Sequence, residues 1–337
     1  MKMSNRIEYI DALRGFVMLL VVLGHVPMYC YHAFGMLSFS QIPSLFHLAL
    51  FFFVSGWFFT SKSCQKPWGV FIKEKAMQLL LPTVVFYLIF CWVKDVDIAG
   101  NLWHDKYKAG YWYCVVLFCF FILARLLGKT KGMGGVVLGI ILSAVLLMFN
   151  TNAMSRMLNN WGVPNVLCLQ QWQYFVFFYM GSMARRNEGL FFSWLDNGKI
   201  MGVCIALFFT TLLLFYQQPV GLLGIKVEFL LWGGLGTVLS FTFFRRYASA
   251  FHQSTCVGRA LQYIGRRTLD VYLLHFFFLP DNMAWLGRHI MGNGNQTVEL
   301  FISLIIALMV IGLCLLTSSI IRLSPPLAHL LLGTKKV

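Results

Sequence analysis

Arg14 and His25 stand eleven residues apart inside RIEYIDALRGFVMLLVVLGHVPMYCYH, the largely apolar stretch from Arg6 to His32. A neutral imidazole, with an ordinary pKa of about 6.5, takes a proton from a hydroxyl near neutral pH and hands it on, and its nitrogen also serves as a nucleophile. A guanidinium is a fixed cation whose donors suit an anion or a developing oxyanion. Asp11, three residues before Arg14, has ion-pair spacing on a helix. Charges in an apolar span are expensive, roughly 2.5 kcal/mol or more for an arginine at a helix centre, so such residues usually face a cavity or a partner. In the plainer reading, Arg14 reaches back to the inner interface with Asp11 as its partner, and His25 bonds a backbone carbonyl.

Those residues are positioned by a helix. Eleven steps of about 100° close roughly three turns, which places Arg14 and His25 on one face, about 16 Å apart along the axis. Pro27 follows His25 by two residues and removes a backbone hydrogen bond, predicting a kink or an unwound turn. At membrane depth such backbone lies within protein or lines a watery cavity. A second helix descends through IPSLFHLALFFFVSGWFF, Ile42–Phe59, and brings His47 to about the depth of His25, either as a structural histidine or as the second polar group beside it. Ser55 and Gly56 further along suit close helix approach.

The whole chain is built for lipid. Of 337 residues, 59% are hydrophobic and 12% charged, against about 45–50% and 25% in soluble domains. Ten apolar runs, at roughly 9–31, 43–61, 78–93, 111–127, 133–149, 167–184, 199–216, 222–244, 262–280 and 298–321, have lengths compatible with bilayer spans. The expected fold is therefore an all-α polytopic membrane protein of about ten transmembrane helices, forming a single domain over 1–337 with no separate soluble domain. The first helix is too long, and too charged within its apolar run, for a cleavable signal peptide. The net charge of +15 is distributed by side: with the N-terminus inside, 20 of the 27 basic residues fall in inner segments, 6 in outer ones, and Arg14 in the first span. That positive-inside split predicts cytoplasmic N- and C-termini and no nucleic-acid partner. The nine cysteines are scattered without metal-ligand or redox spacing and read as packing residues. Neither a metal nor a bound cofactor is expected.

The spacing of a basic residue, ten residues and a histidine within YIDALRGFVMLLVVLGH resembles the first helix of the acyltransferase 3 family of integral membrane acyltransferases. Ile42–Phe59 resembles that family's second helix, especially in the branch related to fucose 4-O-acetylases, and YIGRRTLDVYLLH, Tyr263–His275, its penultimate helix. Together these motifs cover about a quarter of the chain. The resemblance implies a multi-pass protein of the cell membrane, in bacteria the inner or plasma membrane, and an enzyme moving an acyl group. The donor would be cytosolic acyl-CoA, most often acetyl-CoA, as co-substrate, and the acceptor a hydroxyl of a cell-surface or lipid-linked glycan.

On that resemblance His25, Arg14 and Asp11 are the catalytic candidates. His25 would act as the base or be transiently acylated, and Arg14, so far along the helix, would orient the donor. Lys75, Arg266 and Arg267 are the donor-binding candidates. The family usually has two arginines three apart before the proline, here Pro82, where this chain has Lys75 and Gln78. One charge is kept and one lost. His47, Trp112 and Tyr113 are the acceptor-binding candidates, aromatic rings with polar tips being suited to sugar faces; the interfacial aromatic belt explains the rings equally well. Asp270 is placed near the depth of Arg14, which leaves an Arg14–Asp11 or an Arg14–Asp270 bridge open. Counting depth from the interfaces ranks His25 ahead of His47, one turn from the outer face, and of His275, about 12 Å from the inner one. A transporter or exporter of polysaccharide, with the same polar face lining a path and no covalent chemistry, is the competing function.

Overall fold

A computed structural model describes residues 7–32, 38–59, 65–105, 107–128, 133–148, 157, 160–162, 165–215, 222–292 and 295–334. Lys2, Arg6, Lys62, Lys106, Lys129, Lys131, Arg156, Lys335 and Lys336 of the topology count, with Cys64, lie outside the described residues.

Among the described residues every regular element is helical. Four stretches are long and apolar enough to cross a bilayer: Glu8–Cys30, Trp68–Val93, Ile225–Arg246 and Gln296–Ile321. The number is six if two bent pairs each count as one span, Phe39–Leu45 with His47–Trp57 (40°) and Glu188–Leu195 with Gly198–Leu214 (71°). Three of the expected runs differ from simple spans for visible reasons. The second starts as a 3-10 helix, Phe39–Leu45, with Pro43 inside it, where proline denies the α-helix a donor. The sixth starts as the 3-10 helix Leu169–Tyr174. The ninth breaks at Arg267, whose φ of −120° and ψ of 25° leave helical space.

The chain packs as two compact units. The first comprises Met1–Phe51 and Gly189–Ser318. It contains α1 (Glu8–His25) with a π-helical turn Val26–Cys30 behind it, and the first residues of α2 (His47–Trp57). Its remaining helices of interest here are α11 (Leu222–Arg246), α12 (Cys256–Arg266), α13 (Thr268–Phe278) and most of α15 (Gln296–Ile321). α1 is the core of this unit: Ile10, Ala12, Leu13 and Val22 are completely buried. It crosses α12 at two glycines. A methyl on Gly15 would stand 1.9 Å from the Leu261 carbonyl oxygen, and one on Gly265 1.8 Å from that of Asp11, so backbone meets backbone there.

The second unit comprises Phe52–Glu188 and Ser319–Val337. It contains α3 (Trp68–Lys75), the π-turn Ala76–Leu80, α4 (Leu81–Val93), α6 (Trp112–Leu127), α7 (Met133–Met148), α8 (Phe175–Arg186) and α16 (Pro325–Leu332). Its interior is aromatic, with Phe52, Trp57, Phe59, Phe120, Phe175 and Phe178 buried. Gly56 fills the expected role of a close-approach residue: an added methyl would meet the Phe178 carbonyl oxygen at 1.9 Å, and one on Gly181 that of Phe53 at 2.0 Å.

Candidate active site

The C-terminal end of α1 does not unwind at Pro27. Pro27 has no N–H to offer the Leu23 carbonyl, and the N–H of Val26 turns to that carbonyl instead. The following turn widens, with Tyr31 N donating to Val26 O at 3.4 Å. A π-turn is the usual result of an inserted irregularity in a helix and is frequent at functional sites.

Arg14 is not a lone charge in the bundle. Nη2 donates to Thr268 Oγ1 at 3.0 Å and Nη1 lies 3.8 Å from Asp11 Oδ1. Asp270 accepts from Ser318 Oγ at 2.5 Å. At the other end of the same face, His25 Nδ1 and His275 Nε2 are 3.0 Å apart. The two rings are 10° from parallel with centroids 5.1 Å apart. That separation is two ring radii plus a hydrogen bond, so the imidazoles meet edge to edge in nearly one plane and are not stacked face to face. Tyr29 stands edge-on to His25 at 5.4 Å, and Phe276 lies against both imidazoles, at 5.2 Å from His25 and 4.0 Å from His275.

These contacts bear on the shared-depth argument, which offered His47, either structural or functional, as the second polar group near His25. His47 does sit beside α1, since a methyl on Gly24 would come 3.9 Å from its Cε1. Its Nδ1, however, donates to the Pro43 carbonyl at 2.9 Å, the structural role for a buried histidine, and the ring bonded to His25 is that of His275. The break at Arg267 is the reason. Because α13 restarts at Thr268, level with the tip of Arg14, the eleven residues from Arg14 to His25 are matched by only seven from Thr268 to His275. The difference of four residues is about 6 Å of rise, which the long Arg14 side chain spans. The two contacts occur in the same order along both helices, so α1 and α13 run parallel.

Of the donor-binding candidates, Arg267 lies at the α12–α13 break with its guanidinium 4.4 Å over the Tyr263 ring. Arg266 is half-buried at the end of α12. In the second unit the Lys75 ammonium stands 3.9 Å over the Phe121 ring. Trp112 and Tyr113 are packed together at 6.1 Å and against Phe52, at 6.3 and 4.7 Å. Tyr113 OH is 3.2 Å from Ser55 Oγ. His25, Arg14, Asp11 and His47 thus lie in one unit, with Thr268 meeting Arg14 and His275 meeting His25. Lys75, Trp112 and Tyr113 belong to the other.

Reading by residue type missed three features. Counting depth set His275 apart from His25, which it in fact meets, and Thr268 offered no signal at all. Glu299, 1% exposed on α15, accepts from Ser40 Oγ at 2.6 Å and Ser303 Oγ at 2.8 Å, and Ser303 is 3.2 Å from Tyr31 OH. Its signal in the sequence is a carboxylate inside the apolar run that begins at Val298, an intramembrane charge that ought to have been read as functional or paired.

Comparison with known proteins agrees with this chemistry. The acyltransferase domain model of the acyltransferase 3 family matches residues 7–319. Nodulation protein NolL of Mesorhizobium japonicum is 28% identical over 138 residues, 37% of this chain and 36% of that protein. The match therefore spans about a third of that relative's length. No solved structure matches the chain. With a family match that begins at the helix of Arg14 and His25 and runs through both packed units, on apolar helices suited to lipid, the chain belongs to the acyltransferase 3 family of multi-pass membrane acyltransferases.

Proposed function

We propose that the protein is an O-acyltransferase that moves an acyl group, acetyl by family resemblance, from cytosolic acyl-CoA to a hydroxyl of a cell-surface or lipid-linked glycan, with His25 as the base. One observation carries this reading. The histidine of the basic-x10-His pattern is held by an in-plane hydrogen bond on the first helix of the family match, the arrangement expected of an oriented base.

In the reaction the acceptor hydroxyl oxygen attacks the thioester carbon while His25 removes the hydroxyl proton. The new C–O bond forms, the C–S bond breaks, and the same proton passes from His25 to the departing thiolate. The products are an O-acyl ester and the free thiol of CoA. Arg14 is engaged by Asp11 and Thr268 and stands about 16 Å from His25 along α1, which suits ordering of the site or of the donor and not contact with the reacting carbon. Lys75, Arg266 and Arg267 supply cationic charge for the donor's phosphates. His47, Trp112 and Tyr113 supply a ring nitrogen and aromatic faces for the acceptor. The likeness of Ile42–Phe59 to the fucose 4-O-acetylase branch supports a sugar hydroxyl.

We also infer ten spans with both ends in the cytoplasm, in the plasma or inner membrane. The 20-to-6 division of basic residues supports this. So does the parallel course of α1 and α13, which needs an odd number of crossings between them.

The test is mass spectrometry of surface glycans from cells carrying the wild-type chain, His25→Ala, or neither. The expected result is an O-acyl group present only with the wild type. O-acyl content equal in all three would overturn the reading and favour transport.

A further inference from the structure

The hydrogen bonds of His275 fix more than its position. Its Nδ1 lies 3.0 Å from the Val271 carbonyl oxygen and 2.8 Å from that of Tyr272. Carbonyl oxygens only accept, so this nitrogen carries the hydrogen. In a neutral imidazole the other nitrogen is then a bare acceptor, and on His275 that is Nε2, the atom 3.0 Å from His25 Nδ1. The His25 nitrogen must therefore be the donor. It follows that His25 carries its hydrogen on Nδ1 and presents Nε2 as a lone pair.

The alternative, a doubly protonated His275 donating to His25, would place a cation on a completely buried ring beside two backbone carbonyls, His25, Tyr272 and Phe276. Burying such a charge without a carboxylate partner costs several kcal/mol. The rings facing His25 are those of His275, Tyr29 and Phe276, with His47 beside the neighbouring Gly24.

We infer that His275 is the positioning residue for the base: the chain backbone carbonyl, His275, His25 locks His25 in the Nδ1–H tautomer and aims its Nε2 at the acceptor hydroxyl. Once His25 has taken the proton, the same bond from Nδ1–H to His275 Nε2 holds the imidazolium in place until the proton leaves on the thiolate. The helix carbonyls of Val271 and Tyr272 play the part that a carboxylate plays behind the histidine of a hydrolytic triad. They orient the ring without adding a buried charge. This inference rests on His25 being the base and adds that the tautomer is set from a helix some 250 residues away.

The experiment separates the two. ¹⁵N spectra of the full-length, histidine-labelled protein in detergent or nanodiscs, with the His25 signals assigned by their loss in His25→Ala, read the tautomer without any turnover. Protonated Nδ1 and a pyridine-like Nε2 on His25 are expected; a proton on Nε2 overturns the inference, whatever the activity. In parallel, His275→Leu removes the acceptor while His275→Gln keeps an oxygen near the place of Nε2. The Leu variant is expected to lose about 10–100-fold in kcat, the scale on which partners of an oriented imidazole act, at nearly constant KM for the acyl donor. The Gln variant is expected to recover most of the loss. A merely structural residue would give no such split, so equal activity of Leu and Gln variants overturns the positioning role. Should His25→Ala itself keep more than about a tenth of wild-type turnover, the base assignment fails while the tautomer result still stands or falls on its own spectrum.

Discussion

At the scale of single residues, the site joins costly groups that satisfy one another. Arg14 is 31% exposed at its side chain and meets a hydroxyl and a carboxylate. Hydrogen bonds to charged groups contribute about 1.5–3 kcal/mol, so Thr268→Val is expected to lower the melting temperature of the purified protein by an amount matching that range. Arg14→Lys keeps the charge but lacks the planar fork that reaches Thr268 and Asp11 together. It is expected to reduce acyl transfer more than Thr268→Val does; equal activities in a donor-to-acceptor assay would show that charge alone matters at position 14. For His25→Ala the expected loss of turnover is about 10²–10⁴-fold, the usual contribution of a general base. His47→Ala should retain measurable turnover, because His47 Nδ1 is held by the Pro43 carbonyl and its part is acceptor binding, not the proton transfer.

At the scale of elements, the geometry depends on how closely α1 and α12 approach. Gly15 adjoins Arg14, and Gly265 precedes the break from which α13 starts. A side chain at either would push backbone from backbone, and overpacking of that kind typically costs about 1–3 kcal/mol. Gly15→Ala and Gly265→Ala are therefore expected to lower thermal stability and to abolish activity by moving His25 away from His275. Gly202 and Gly312 are also helical and have open space where a methyl would go. Gly312→Ala and Gly202→Ala should leave activity intact and be neutral or stabilising by up to about 1 kcal/mol, the propensity difference. A Gly265→Ala variant as stable and active as Gly312→Ala would refute the close-packed crossing. Pro27 acts at the same scale: its π-turn sets the direction in which the chain leaves His25, and proline there is compatible with a continuous, widened helix.

At the scale of the whole molecule, charge distribution makes a prediction that catalysis does not enter. Cys256 is exposed as the first residue of α12, on the side to which the basic residues assign the cytoplasm. A membrane-impermeant maleimide is expected to label it in inside-out vesicles and not in intact cells, and a reporter fused after Val337 should be active on the cytoplasmic side. Labelling of Cys256 from outside would invert the proposed topology. The family match runs across both packed units, and two of the three donor-binding candidates can be tested together: Lys75→Gln with Arg266→Gln should raise the donor KM and leave kcat nearly unchanged, as lost uniform binding does.

Local composition was enough to determine the membrane class, the helical fold and the first helix with its basic-x10-His face. Each follows from properties that a short window of residues carries by itself: apolar length, 3.6-residue periodicity and the cost of a charge in lipid. The partner of His25 was beyond that reach. Depth along a span is a single coordinate, and it placed His47 correctly beside α1 yet could not say which ring faces which, nor that the ninth apolar run restarts at Thr268. Which groups meet depends on the break at Arg267, on two glycines that let α1 and α12 touch, and on rotations of helices whose contacting residues are about 250 positions apart. Only the packed tertiary structure fixes these, because the energy that selects them resides in contacts no local window contains.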